Sequence, residues 1–253
     1  MLFFRGQHHV GDVEMEGFAQ RMGDPIAHPT VADTKGSKYL LNLVATSAYA
    51  SSVWHTDLTF LPAYPAASLI RAVEMPRTGG DTMWANCATA YLDLPDPLRA
   101  MVDQLWAFHS SELDFDGDYS GEAWDKVERY RHLPSQPVYH TEHPIVRVHP
   151  ETNERVLLTG TYIKRLRGFD VHQSRQILSL LQQYITRPEN CMRWRWDVGD
   201  IALWDNRATQ HRVVADFGDQ PREMRRATIS GTVPVSVDGE QSRCSPSAPM
   251  AQI

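Results

Sequence analysis

The sequence predicts a mainly β protein with flanking helices, built on a double-stranded β-helix, or jelly-roll, core. Short apolar or alternating runs recur along the chain, separated by Gly, Pro, Asn and Asp turns, as antiparallel strands are. Helical periods are few, and the clearest covers Asp170 to Ile185. No internal repeat or linker interrupts residues 1–234, so these strands belong to one domain with helices packed outside its sheets. Residues 235–253, rich in Ser and Pro, read as a C-terminal tail.

In order, Met1 to Phe4 is an apolar strand that Arg5-Gly6-Gln7 ends. Gly11 to Met22 has a helical stripe in Val13, Phe18 and Met22, stopped by Gly23-Asp24-Pro25. Tyr39 to Val44 reads as a strand, then Trp54 to Phe60 as a short extended run, then Ala66 to Val73 as a strand of small and branched residues. Thr78 to Thr82 is a turn feeding a strand at Met83-Trp84. Cys87 to Leu92 and Pro95 to Leu105 are two short helices broken at the prolines. Ser110 to Pro137, polar, acidic and aromatic, has the composition of a lid. Strands follow at Pro144 to Val148 and Arg155 to Leu158, joined by the turn Pro150 to Asn153. Asp170 caps the long helix. Met192 to Trp196, Ile201 to Trp204 and Arg226 to Val233 are the last strands.

Composition narrows the function. With 253 residues, 42% hydrophobic and 22% charged, the chain can bury a sizeable core. A net charge of -6 without a Lys/Arg run argues against a nucleic-acid partner. The cysteines Cys87, Cys191 and Cys244 are odd in number and far apart, which fits structural thiols in a reducing cytoplasm. No apolar run approaches a membrane span, and Met1-Leu2-Phe3-Phe4 is too short for a signal peptide.

Chemistry concentrates in three stretches. In Trp54-His55-Thr56-Asp57-Leu58-Thr59-Phe60, strand alternation puts the His55 imidazole and the Asp57 carboxylate on one face, as adjacent ligands of one metal ion require. Alone, His-x-Asp is a weak signal that more often describes a surface histidine beside a turn aspartate. In Trp204 to His211, an apolar strand runs into a polar turn that delivers a second histidine. His211 also reads as a satisfied histidine at a strand end. Two His and one carboxylate on one side of a metal form the facial triad of non-haem Fe(II) oxygenases. The third stretch holds Arg222, Arg225 and Arg226. A guanidinium fork suits a carboxylate or another oxyanion, whereas three clustered arginines also describe a solvated face.

Trp54-His55-Thr56-Asp57, Gly79-Gly80-Asp81-Thr82, Trp204 to His211, and Arg222 with Arg226-Ala227-Thr228 together resemble the taurine dioxygenase (TauD/TfdA) family of Fe(II)/2-oxoglutarate-dependent dioxygenases, across the chain to about Pro234. Within it, Tyr64 to Ser68, Trp84-Ala85-Asn86, Thr141 to Pro144 with Glu154-Arg155, and Pro234-Val235 with Ser242-Arg243 and Ala248 to Met250 resemble the bacterial alkyl sulfate-ester dioxygenases. The resemblance implies a cupin-like core with His55, Asp57 and His211 as iron ligands. Thr82 and Arg222 would hold the distal carboxylate of 2-oxoglutarate. Arg226 and His28 would grip the substrate anion, and Leu58 would line its cavity. Arg225 is assigned no role. The implied cofactors are Fe(II), 2-oxoglutarate as co-substrate and O2. The implied reaction couples 2-oxoglutarate decarboxylation to hydroxylation of the carbon bearing a sulfate oxygen, which then collapses to aldehyde and sulfate.

Two departures shape the expectations. The chain begins where the family already has a strand and helix behind it, so an N-terminal β unit is expected to be missing and a sheet edge exposed. Val31 and Ser51 stand where taurine-specific members carry contacts to an amine, which favours a substrate without one. The alternatives are the same chemistry on a sulfonate or carboxylate, and a non-catalytic cupin-like binding protein. A homo-oligomer, dimer or tetramer, in the cytoplasm is expected.

Overall fold

The computed structural model describes residues 1–29, 36–47, 50–112 and 138–244. Most of the expected lid (113–137), Val31, and the end of the tail (245–253) lie outside the described residues.

The core is the expected mainly β, double-sheet arrangement. Strands β1 (Leu2–Phe4), β2 (Leu40–Ala45), β3 (Ala67–Glu74), β11 (Ile201–Asp205) and β13 (Arg222–Ile229) form a five-stranded antiparallel sheet in the order β1-β11-β3-β13-β2. Strands β4 (Thr82–Asn86), β10 (Cys191–Trp194) and β12 (Thr209–Val213) form a second sheet in the order β10-β4-β12. Alternation along each strand sends one set of side chains between the sheets. Ile70, Ala72, Trp84, Ala202, Trp204 and Met224 are buried there together. The opposite face of the larger sheet packs Leu40, Leu69, Ile201, Leu203 and Ala227 against Met15 and Ala19 of helix α1 (Asp12–Met22). Each such large apolar side chain contributes roughly 1.5–3 kcal/mol by leaving water.

Strands β5 (Trp106–Ser110), β6 (His140–Pro144), β9 (Ile163–Leu166) and β15 (Arg243–Cys244) form a sheet, as do β7 (Val146–Val148), β8 (Arg155–Leu157) and β14 (Val235–Ser236). Helices α2 (Cys87–Leu92), α3 (Asp96–Val102) and α4 (Val171–Ile185) share a core with them. Asp170 caps α4: its carboxylate accepts from Gln173 N at 2.8 Å, and the Gln173 side chain accepts from Asp170 N at 3.2 Å. Such a cap stabilises a helix by about 1 kcal/mol.

The structure corrects several local expectations. Trp54 to Phe60 is not a strand. His55 forms one isolated bridge and Asp57 to Phe60 coil into a turn, with Leu58 at φ 56°. The peptide of Asp57 pairs with a side chain, as described below, so no ladder continues. The last long strand runs Arg222–Ile229 rather than Arg226 to Val233. It ends where the chain passes so close to the Tyr64 carbonyl that a Cβ at Gly231 would lie 2.0 Å from it. His211 sits within β12 rather than at the end of a polar turn. Strands β5 and β9 are additions to the expected set. Beyond Pro234, the expected tail region includes β14 and β15, which hydrogen-bond to β7 and β6.

Candidate metal and co-substrate site

The two histidines meet through the backbone. His55 N donates to His211 O at 3.0 Å and His211 N donates to His55 O at 2.8 Å, closing one hydrogen-bonded antiparallel pair. Their rings lie 4.2 Å apart. Asp57 Oδ1 is 3.7 Å from His55 Nε2 and 3.8 Å from His211 Nε2. One ligand atom from each of the three side chains lies within 4.8 Å of the others, and all three residues are buried. Among the described residues this is the one such cluster.

Protonation favours lone pairs at the centre. His55 Nδ1 lies 2.8 Å from the Val53 carbonyl, so it carries the proton and Nε2 presents a lone pair. Burial is the main cause lowering the pKa of both imidazoles, and that of His211 falls to about 3. Burial alone would raise the Asp57 carboxyl. The Arg226 guanidinium, with His211 and His55, outweighs it and holds Asp57 well below the usual carboxylate range. Two neutral imidazoles and a carboxylate form a donor set suited to Fe(II).

Asp57 is held from four directions. Arg226 Nη1 donates to Oδ1 at 2.8 Å and Ser68 Oγ donates to Oδ2 at 3.0 Å. The buried Asn206 side chain accepts from Asp57 N at 2.9 Å and donates to Asp57 O at 3.1 Å, and also to Pro65 O at 3.0 Å. His143 braces the same turn: its Nε2 lies 2.8 Å from Thr59 O, and Ser242 Oγ lies 2.7 Å from its Nδ1. Leu58 is 1% exposed within the turn.

A second polar centre lies further along the inner face. In the β4–β12 ladder His211 is opposite Trp84 and Val213 is opposite Thr82. Thr82 therefore shares the face of His211, one two-residue step along, about 7 Å. Arg222 Nη2 donates to Thr82 Oγ1 at 3.2 Å and Arg222 Nε donates to Gly80 O at 3.0 Å. Arg222 is 3% exposed, and no carboxylate among the described residues lies within ion-pair reach. Burial lowers its pKa to about 10, with Asp81 opposing, so it remains cationic. A buried cation without a counter-ion is costly unless an anion arrives.

Alternation places Arg222, Met224 and Arg226 of β13 inward, and Glu223 and Arg225 toward α1. The inward arginines are four residues apart, about 13 Å along a strand. Arg225 donates to Asp12 Oδ2 at 3.3 Å and takes no part in the site. His28, in the loop after α1, is half-buried. Its pKa is lowered to about 4, chiefly by burial and then by Arg226. The structure thus gathers His55, Asp57, His211 and Arg226 at one centre, with His28 close enough to feel Arg226, and joins Thr82 to Arg222 nearby. Sequence reading missed the supporting roles of Asn206, Ser68 and His143. For Ser68 a signal existed, since it is a lone polar residue in an apolar run, whereas Asn206 is hidden among the polar residues of its turn.

A double-sheet jelly roll with two imidazoles and a carboxylate around one point defines the class of non-haem Fe(II) oxygenases. The family model for "Taurine catabolism dioxygenase TauD, TfdA family" matches residues 1–228. An alpha-ketoglutarate-dependent sulfate ester dioxygenase of Pseudomonas putida is 50% identical over 243 residues, 96% of this chain and 81% of the relative. An alkylsulfatase of Acinetobacter baylyi is 46% identical over 239 residues, 94% of this chain and 75% of the relative. The crystal structure of a taurine dioxygenase from Burkholderia xenovorans superposes with a TM-score of 0.80 at 36% identity, over 98% of this chain and 81% of that one. The chain belongs to the TauD/TfdA family and is a 2-oxoglutarate-dependent dioxygenase, an enzyme whose family uses Fe(II), 2-oxoglutarate and O2 on small-molecule substrates. The donor set and the lone buried Arg222 fit that requirement.

Proposed function

We propose that this enzyme oxidises an alkyl sulfate ester to an aldehyde and sulfate, with succinate and CO2 as co-products. His55 Nε2, Asp57 and His211 Nε2 hold the iron. Bound iron, with 2-oxoglutarate and O2, supplies the oxidation at the carbon bearing the sulfate oxygen. Arg222 and Thr82 neutralise and orient the far carboxylate of 2-oxoglutarate. Arg226 still has an unpartnered, buried Nε beside its Asp57 contact, and with neutral His28 it anchors the sulfate. Leu58 lines the cavity for the alkyl chain. The protein's part is to position the anion and keep water from competing.

The observation that carries this reading is the pair of inward arginines on β13, one beside the triad and one beside Thr82: two separate anion sites for two anionic molecules. The two sulfate-ester relatives favour a sulfate as the second anion. O2 uptake in a panel of alkyl sulfates, taurine and aryloxyacetates tests it. Alkyl sulfates should turn over fastest, with stoichiometric sulfate and succinate. Faster turnover of taurine or an aryloxyacid would overturn the substrate assignment, and no 2-oxoglutarate-dependent uptake would overturn the site assignment.

We infer that the enzyme works in the cytoplasm. Its three cysteines are all free. No helix among the described residues is long and apolar enough to cross a membrane. We also infer a homo-oligomer, a dimer or tetramer, which would cover Leu2 and Phe4, exposed on the edge strand β1. Light scattering on the eluted protein reads the assembly directly, and a monomer at working concentration would refute it.

A further inference from the structure

Trp196 lies two residues beyond β10 and is 4% exposed. Its indole Nε1–H donates to Thr82 Oγ1 at 2.9 Å. The same oxygen accepts from Arg222 Nη2 at 3.2 Å. A threonine hydroxyl offers two acceptor lone pairs and one hydrogen, whereas indole and guanidinium groups only donate. Both acceptor positions of Thr82 are therefore filled, and its hydroxyl hydrogen finds no acceptor among the described residues.

We propose that Trp196 is a positioning residue that makes Thr82 an obligate donor, so that this end of the co-substrate cavity accepts a carboxylate and disfavours any group lacking an acceptor. The inference rests on the assignment of Thr82 and Arg222 to the far carboxylate of 2-oxoglutarate. With Trp196 in place, the hydroxyl cannot turn its hydrogen toward Arg222 or Trp196, because neither has a lone pair to receive it. The one remaining direction is toward the ligand. The O–H then meets an anionic oxygen, and a charge-assisted bond forms without prior reorientation. If the indole N–H were lost, one lone pair would open and the hydroxyl could rotate or take up water instead.

The test is calorimetric titration of the Mn(II)-loaded protein, without turnover, with 2-oxoglutarate and with 2-oxopentanoate. The second ligand has the same keto-acid head and chain length but no far carboxylate. Trp196→Phe should weaken 2-oxoglutarate about five- to tenfold, the usual effect of one hydrogen bond, and leave 2-oxopentanoate unchanged. In a Thr82→Val background the same change should have no further effect, since its target is gone. An equal loss for both ligands, an unchanged 2-oxoglutarate affinity, or additive losses in the double variant would overturn the proposal. Replacing Trp196 with 3-benzothienylalanine, which keeps the ring volume and lacks the N–H, repeats the measurement if the Phe variant folds poorly. Failure of the wild-type protein to bind 2-oxoglutarate would instead sink the co-substrate assignment.

Discussion

Asn206 grips both sides of the Asp57 peptide, accepting from its N–H at 2.9 Å and donating to its C=O at 3.1 Å, across 149 residues of sequence. This clamp replaces the strand pairing that the residues after His55 lack. Asn206 is fully buried, so truncation leaves Asp57 N–H without its acceptor. Asn206→Ala should cost about 1–3 kcal/mol of stability in urea unfolding. It should also weaken Mn(II) binding roughly 10–100-fold, as loss of a ligand's supporting partner does. Metal affinity equal to wild type would show that Asp57 is placed by Arg226 and Ser68 alone.

Asp57 and Arg226 are a buried pair, with side chains 3% and 9% exposed. Removing the carboxylate strands the guanidinium. Asp57→Ala should abolish substrate-dependent succinate formation and lower apo stability by roughly 3–5 kcal/mol. Retained turnover would refute the metal assignment.

Arg222 predicts the opposite trade. It is cationic, buried and without a carboxylate partner, and its depressed pKa corresponds to a cost on the order of 3 kcal/mol. Arg222→Met should leave the apo protein as stable or more stable, while raising the Kd for 2-oxoglutarate at least about 100-fold. A marked fall in melting temperature would mean that the arginine serves the fold itself.

Arg226→Ala should weaken alkyl sulfate binding in equilibrium titrations more than it changes 2-oxoglutarate binding, because the two inward arginines sit at opposite ends of the site. Unchanged sulfate-ester affinity would place the anion elsewhere.

His143 gives a pH prediction. Burial lowers its pKa from 6.5 to about 4, although bonds to Thr59 and Leu61 oppose the shift. The unfolded chain therefore binds a proton between pH 6.5 and 4 that the folded chain does not. Stability is complete above pH 6.5 and falls through that window, by on the order of 3 kcal/mol from this group. Urea unfolding of apo protein at pH 7, 5 and 4 should show the decline, and a shallower one in His143→Gln. Identical slopes would assign the acid sensitivity to other histidines.

Much of the fold was legible because its signals are local. Helix α4 announced itself through Asp170 and its apolar stripe, and β3 and β11 through branched residues between turns. Strand β12 was not legible: Thr-Gln-His-Arg-Val has one apolar residue, and Gln210 is buried by pairing with Thr159 and Gln182 rather than by apolarity. Trp54 to Phe60 misled in the other direction. Its alternation looks extended, yet the turn at Leu58 brings Asp57 to the histidines.

By itself, the sequence determined the jelly-roll class and the family, and it singled out His55, Asp57 and His211 as candidate donors, since these depend on residue types and order. Only the tertiary structure decided that His55 and His211 pair through the backbone, that Asn206 clamps Asp57, that Arg226 rests on Asp57 and that Trp196 donates to Thr82. Local periodicity speaks of neighbours a few residues away. All four contacts join residues more than a hundred positions apart, and cross-strand register and shared burial, rather than any local pattern, bring them together.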